Sequence, residues 1–216
     1  MPRSIGLIGA PSSAGAYAPG QEKAPRALRE AGLRERLEQA GAVTRDHGDL
    51  PVWRWRPDRS NRYAQNLPVV VEIAEAVAQR VRDAVASDEV ALVLGGDCTV
   101  ELGTVAGHLP TQERIGLLYF DIHGDLNTPQ SVPDGALDWM GVAHLLGEEP
   151  ATPELSRFGP RYPLLTPDQV LLFANDASHN TPWERAVIQR LGLTTIPLED
   201  VAADPEASAA RAFAYL

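Results

Sequence analysis

The sequence predicts an α/β fold in which a parallel sheet carries helices on both faces. Three observations point there. Short apolar runs recur at residues 90–94 (VALVL), 115–120 (IGLLYF) and 170–174 (VLLFA). They are too short for ordinary helices and read as strands buried on both faces. Other segments place apolar residues three and four apart, the helical period. The two kinds alternate, and a strand joined to a parallel neighbour needs such a crossover.

Each element can be justified in order. Residues 4–10 (SIGLIGA) are the first predicted strand, and Gly15, Pro19 and Gly20 mark the loop that follows. Residues 24–40 read as helix, split near Gly32. Residues 51–66 are polar, carry Trp53 and Trp55, and show no period. Residues 68–85 are helical, because Val70, Ile73, Val77, Val81 and Val85 share a face. Residues 90–94 form the next strand, 99–107 the helix after it, and 115–120 another buried strand. Then come a short helix at 139–146, a strand at 170–174, a helix at 182–191 and a strand at 194–198. Asp204 fits an N-cap with Pro205 at the first helical position. In that closing helix Ala209, Phe213 and Leu216 would share a face. No repeat, low-complexity tract or linker interrupts residues 1–216, so one domain is expected. A closing helix without a strand after it breaks the alternation, which suggests a domain incomplete at its C-terminal side.

Charge and composition exclude several classes. With 19 Lys and Arg against 29 Asp and Glu, the chain carries a formal charge of −10. It would repel a phosphate backbone, so nucleic acid is not an expected partner. No apolar stretch reaches the roughly 18–20 residues of a membrane span. The N-terminal stretch alternates like a strand and does not resemble a signal peptide. Cys98 is the one cysteine. No intrachain disulfide can form, which fits a reducing, cytoplasmic setting.

Chemistry is concentrated where two predicted strands end. Residues 90–94 run into Gly95-Gly96-Asp97-Cys98, and residues 115–120 into Asp121-Ile122-His123-Gly124-Asp125. Ligands of open parallel sheets bind outside these carboxyl ends. If residues 121–125 stay extended, the period of two places both carboxylates and the imidazole on one side. Such a cluster is costly without a cation and favourable with one. Oxygen and nitrogen donors together suit Mn²⁺, Zn²⁺ or Fe²⁺ better than Ca²⁺. A metal there would generate hydroxide from water at neutral pH. The competing reading is that a strand-end aspartate caps the next turn.

The motifs together resemble the ureohydrolase (arginase/agmatinase/formiminoglutamase) family, which carries GGDH at one strand end and DAHxDxN at the next. Residues 95–98 and 121–127 follow that order and spacing. Ala24-Pro25-Arg26-Ala27-Leu28-Arg29 is similar to the family's GP..LR helix start, and Asp46-His47-Gly48-Asp49-Leu50 to its D.GD segment. The resemblance implies a three-layer α/β/α fold with a mainly parallel sheet. It implies a two-manganese site whose bridging hydroxide attacks a guanidinium or amidine-like carbon. By position, Asp121 would bridge the metals, His123 would bind one and Asp125 the other. Asp97 would stand behind the ligand at 98. Asn127 would bind a substrate α-carboxylate and Glu184 the substrate's amino end. Glu184 reads equally as a first-turn glutamate favoured by the helix dipole. A small guanidino substrate of arginine, hydroxyarginine or agmatine type is implied, as is a trimeric or hexameric assembly.

Three positions depart from the family. Cys98 replaces a metal-binding histidine. A thiolate is softer, tilts preference toward Zn²⁺ or Fe²⁺, and must first lose its proton. A plain buried thiol is the other reading. Asp138 falls where arginases place a proton-shuttling histidine. N-cap preference favours reading it as the cap of the helix that follows, and His144 would pack inside that helix. Finally, the family's D-x-D-x-x-D-P strand end is missing. Asp176 and Glu199-Asp200 follow strands without its spacing. Two expectations remain: a metal-dependent hydrolase, or a truncated or degenerate relative with weak or no metal binding. The loop from Gly9 to Gly15 lacks the Lys-Ser/Thr of a phosphate-binding loop.

Overall fold

A computed structural model describes residues 4–111 and 114–216 of the chain. Strand β1 (Ser4–Gly9) is followed by helices α1 (Ala24–Glu30) and α2 (Leu33–Gln39). Then come β2 (Thr44–Asp49), α3 (Leu67–Ala86), β3 (Glu89–Leu94), α4 (Val100–His108) and β4 (Leu117–Phe120). The second half contains α5 (Gly141–Leu146), α6 (Pro153–Ser156), β5 (Val170–Asn175), α7 (Pro182–Leu191), β6 (Thr194–Pro197), α8 (Leu198–Ala203) and α9 (Pro205–Tyr215).

All the strand pairings are parallel, but they form two three-stranded sheets, in the orders β2-β1-β3 and β4-β5-β6. No ladder joins β3 to β4 among the described residues. Their facing edges bound a groove of about 470 Å³, lined by Val93, Leu117 and Tyr119 of the strands and by Val105 of α4.

Strand β5 shows why the layers are three. Val170 and Leu172 point into the main core, while Leu171 and Phe173 pack with Ile196 and Ala212 on the opposite face. A strand apolar at every position is what such two-sided burial requires. Helix α3 buries the predicted stripe of Val70, Ile73, Val77 and Val81, and Val85 is half-buried. Helix α4 lies close against α3 because Gly103 and Gly107 face it one turn apart. A Cβ at Gly103 would meet the Ala74 carbonyl oxygen at 2.4 Å. The split in the first helix falls at Gly32, whose φ of 77° favours glycine.

Some elements differ from expectation. Strand β2 was not foreseen. It is a polar, half-exposed edge strand (TRDHGD) with no apolar run to betray it. The strand expected over 194–198 ends at Pro197, and Leu198 opens α8. Acidic Glu199 and Asp200 sit in the first turn of α8, where a helix favours negative charge. Asp204 does cap α9, accepting from the Ala207 amide at 2.9 Å. The face that α9 buries is Ser208 and Ala212, and Phe213 is 75% exposed. Among the described residues, no helix is long and apolar enough to cross a membrane.

Candidate metal centre

The β3 end is fixed by contacts only small residues allow. A Cβ on Gly96 would lie 1.7 Å from the Ser12 carbonyl oxygen. The Asp97 amide donates to that same oxygen at 2.9 Å. Asp97 itself is buried. Its carboxylate accepts from Ser12 Oγ (3.0 Å), the Gly15 amide (3.1 Å), the Thr99 amide (3.0 Å) and the Thr99 hydroxyl. The two bonds from Ser12 and Gly15 clamp the loop after β1 to the end of β3, and the two from Thr99 hold the Asp97 carboxylate in place behind Cys98.

The β4 end is fixed by its neighbour. The Asp121 amide donates to the Phe173 carbonyl of β5 at 3.1 Å, and the Asp176 amide donates to the Ile122 carbonyl at 2.8 Å. The chain then turns through Asp125, whose φ is 46°. This turn drives the Asp125 carboxylate inward, where it is 5% exposed and accepts from the Tyr119 hydroxyl.

Ligand atoms of Cys98, Asp121 and Asp125 lie within 4.8 Å of one another. His123, the fourth predicted ligand, stands apart from this group. Its Nδ1 lies 3.2 Å from Asp121 Oδ1, its ring is 6.1 Å from that of His179, and its side chain is half exposed. Desolvation, then the charges of Asp121 and Glu184, push the Asp125 pKa up to about 7. Cys98 is exposed as a residue and so is not a plain buried thiol, yet desolvation of its sulfur and the charges of Asp125 and Glu101 push the thiol far above its ordinary range. Half-buried Glu101 is pushed well up by desolvation and by Asp125 and Asp121. Its Oε1 has no hydrogen-bond partner. Desolvation leads each of these shifts, and the crowding of negative groups adds to it. One thiol and two carboxylates around a space of this size fit a divalent cation, whose charge removes that penalty.

Beside the centre is a cavity of about 340 Å³, walled by Tyr17, Trp139, His179 and Thr181 as well as by His123 and Asp125. Asn127, Asp138 and Glu184 complete it. Asn127 is buried, and its Oδ1 accepts from Ser131 Oγ and Thr181 Oγ1, both at 3.0 Å. Glu184 serves two purposes. Its Oε2 accepts from the Thr181 amide at 2.8 Å while Thr181 Oγ1 accepts from the Glu184 amide at 3.2 Å, so it caps α7. Its Oε1 accepts from the Leu126 amide at 3.3 Å on the cavity wall.

The expectation that Asp138 caps a helix is overturned. The cap positions fall at Ala136 and Met140, and the Asp138 side chain caps neither. It is 6% exposed, and its Oδ1 lacks a partner. Desolvation, then Asp97 and Asp125, raise its pKa to about 8. His144 packs as expected. It is fully buried between the Met140 carbonyl at Nδ1 (2.6 Å) and the Thr152 amide, which donates to Nε2 (3.2 Å), and burial lowers its pKa to about 4. Sequence reading passed over His179, Thr181 and Tyr17. The available signal for His179 was its place in Asp176-Ala177-Ser178-His179, directly after a buried strand beside residues 121–125.

Parallel strands whose carboxyl ends gather acids and a thiol beside a cavity define an α/β protein with a candidate metal centre at its sheet rim. Residues 3–215 match the arginase family, and the chain belongs to that family. It is 34% identical over 203 residues to the hepatic arginase of Aquarana catesbeiana, covering 92% of this chain and 61% of that one. It is 31% identical over 213 residues to the arginase of Bacillus caldovelox, covering 93% and 71%. The solved structure of that Bacillus caldovelox arginase covers 100% of this chain and 72% of its own, with a TM-score of 0.86 and 29% identity. The formimidoylglutamase of Bacillus subtilis shares the fold, with a TM-score of 0.68 at 18% identity. The chain thus spans about 60–70% of the length of these relatives.

Proposed function

We propose that the chain is a metal-dependent hydrolase that cleaves a C–N bond of a linear guanidino or amidine substrate of arginine, hydroxyarginine or agmatine type. The observation that carries this reading is the convergence of Cys98, Asp121 and Asp125 within 4.8 Å at the rim of an acidic cavity, in a chain of the arginase family. These three residues would hold the cation, with His123 within reach through Asp121. Mn²⁺ is the family's metal, and Zn²⁺ or Fe²⁺ is favoured to the extent that the Cys98 thiolate takes part. When bound, the cation supplies a water acidic enough to yield hydroxide at neutral pH.

The remaining roles belong to side chains. Asp138, protonated at neutral pH by its raised pKa, can donate that proton to a departing amine. Glu184 and Asp125 favour a cationic substrate by charge, and Asn127, oriented by Ser131 and Thr181, offers a polar contact to its far end. Tyr17 and Trp139 narrow the cavity and displace water. One main core cluster joining residues of β1, α3, β5 and α7 supports a single domain.

The test is to measure manganese per chain and then urea release from arginine, hydroxyarginine and agmatine. Two ions and urea would sustain the reading. A second reading, a relative without hydrolysis, is favoured by the unpaired β3 and β4 edges beside the centre. One ion or fewer, with no urea from any of the three, would select it.

A further inference from the structure

We infer that His123 and His179 form a two-imidazole ligand pair for a divalent transition metal of Zn²⁺ type, with Asp121 and Asp176 as the carboxylates that orient them. The inference deepens the proposed cation centre and rests on reading the strand ends that way. Its own evidence is separate.

The two histidines lie in the loops after adjacent parallel strands, β4 and β5. Each ring has its Nδ1 against a carboxylate: His123 on Asp121 Oδ1 at 3.2 Å, and His179 on Asp176 Oδ2 at 2.9 Å. A carboxylate that accepts from Nδ1–H leaves the lone pair on Nε2. Metal-binding histidines are oriented in this way by their outer partners. Both rings line the same cavity, with centroids 6.1 Å apart and planes at 80°. A ring centroid lies roughly 3.2 Å from a metal held at Nε2, so two rings on one tetrahedral ion stand about 5 Å apart. The observed separation is about 1 Å greater than that.

The placement is built into the backbone. Asp176 donates its amide to the Ile122 carbonyl at 2.8 Å, which ties the two loops together. Its own carboxylate accepts from the Ser178 amide at 2.8 Å and its carbonyl from the His179 amide at 2.9 Å, so one short turn aims His179. Asp121 gives its Oδ1 to His123 and also belongs to the group with Cys98 and Asp125. It therefore links the two sets of ligands. Imidazole pairs select Zn²⁺, Cu²⁺ or Ni²⁺ over Mn²⁺, so the pair adds nitrogen donors that the thiol and carboxylate set lacks.

The experiment uses the full chain labelled with ¹⁵N-histidine and titrated with zinc chloride, followed by long-range ¹H–¹⁵N spectra. The expected result is that Nε2 of His123 and of His179 shift together in one zinc step. His144, closed off by Met140 and Thr152, should stay fixed. His179→Ala should weaken that step at least tenfold. Asp176→Asn, which keeps an oxygen for the turn, should weaken it by about 10–100-fold. A zinc step that shifts His123 while His179 stays unmoved would overturn the inference. So would wild-type zinc affinity in a folded His179→Ala chain. Zinc on both imidazoles in a chain that releases no urea from arginine, hydroxyarginine or agmatine with manganese, zinc or iron supplied would keep this inference and end the hydrolase reading. Manganese retained at Asp121 and Asp125 with both imidazoles unmoved would do the reverse.

Discussion

Replacing Asp125 by asparagine should stabilise the metal-free chain while abolishing its cation centre. Asp125 is 5% exposed, and its folded pKa of about 7 lies above the reference value of 3.8. A carboxyl with a raised folded pKa contributes its stability fully below 3.8, and that stability is lost as pH rises through about 7. Linkage across that interval gives a destabilisation of about 2 kcal/mol at pH 5 and about 4 kcal/mol at pH 8. That is a large share of the roughly 5–15 kcal/mol that holds a domain folded. Asparagine keeps an oxygen to accept from the Tyr119 hydroxyl and carries no charge. The assay is urea unfolding followed by the fluorescence of the four tryptophans, in EDTA, at pH 5 and pH 8. Asp125→Asn should exceed the wild type at pH 8, and the gap should shrink by about 2 kcal/mol at pH 5. Added Mn²⁺ should raise wild-type stability and leave the variant unchanged. A variant less stable than wild type at pH 8 in EDTA, or a gap that ignores pH, would refute the reasoning.

Three further outcomes follow from the same geometry. Cys98→His should bind Mn²⁺ about tenfold more tightly by calorimetry at pH 7.5, because a neutral imidazole needs no deprotonation whereas the Cys98 thiol is held protonated. Thr181→Ala removes one half of the α7 capping box and a donor to Asn127; thermal unfolding should show a loss of about 1 kcal/mol. Gly103→Ala would press a methyl toward the Ala74 carbonyl oxygen at 2.4 Å, so chemical denaturation should show a loss of about 1–3 kcal/mol, with metal content unchanged.

How much of this was legible beforehand depended on which physical signal each residue leaves. Strand β5 and helix α3 could be read because burial on two faces, or on one stripe, writes itself into apolar spacing. Strand β2 could not, since an edge strand satisfied by one neighbour tolerates Arg45, Asp46 and His47. Phe213 misled for a related reason. Apolar character marks a candidate face, but packing against Ala212 and Ser208 decided which face turned inward. Asp138 showed the limit of local rules. Cap preference is a statement about adjacent amides, whereas a long-range bond from the Asp138 amide to the Gly15 carbonyl at 3.0 Å sets Asp138 inside the first turn, with the cap position at Ala136. His179 had one weak local marker, its place directly after a buried strand. Its significance comes from the β4–β5 pairing, which no spacing within one segment encodes.

That pairing pattern also explains why the centre and the fold are coupled. Cys98 belongs to the half-sheet ending in β3, while Asp121 and Asp125 belong to the half-sheet beginning with β4. Among the described residues no ladder hydrogen bond crosses between these halves. The apolar contacts of α3, α4 and Tyr119 join them from below. At the rim, by contrast, the groups brought together are a thiol and carboxylates that repel as they ionise. A cation there would do more than organise chemistry. It would turn a repulsive contact between the halves into an attractive one, so its binding energy would add to the stability of the sheet rim. The raised pKa of Asp125 and the open β3–β4 groove are therefore two views of one structural condition: two half-sheets meeting at a site whose charges favour a bound ion.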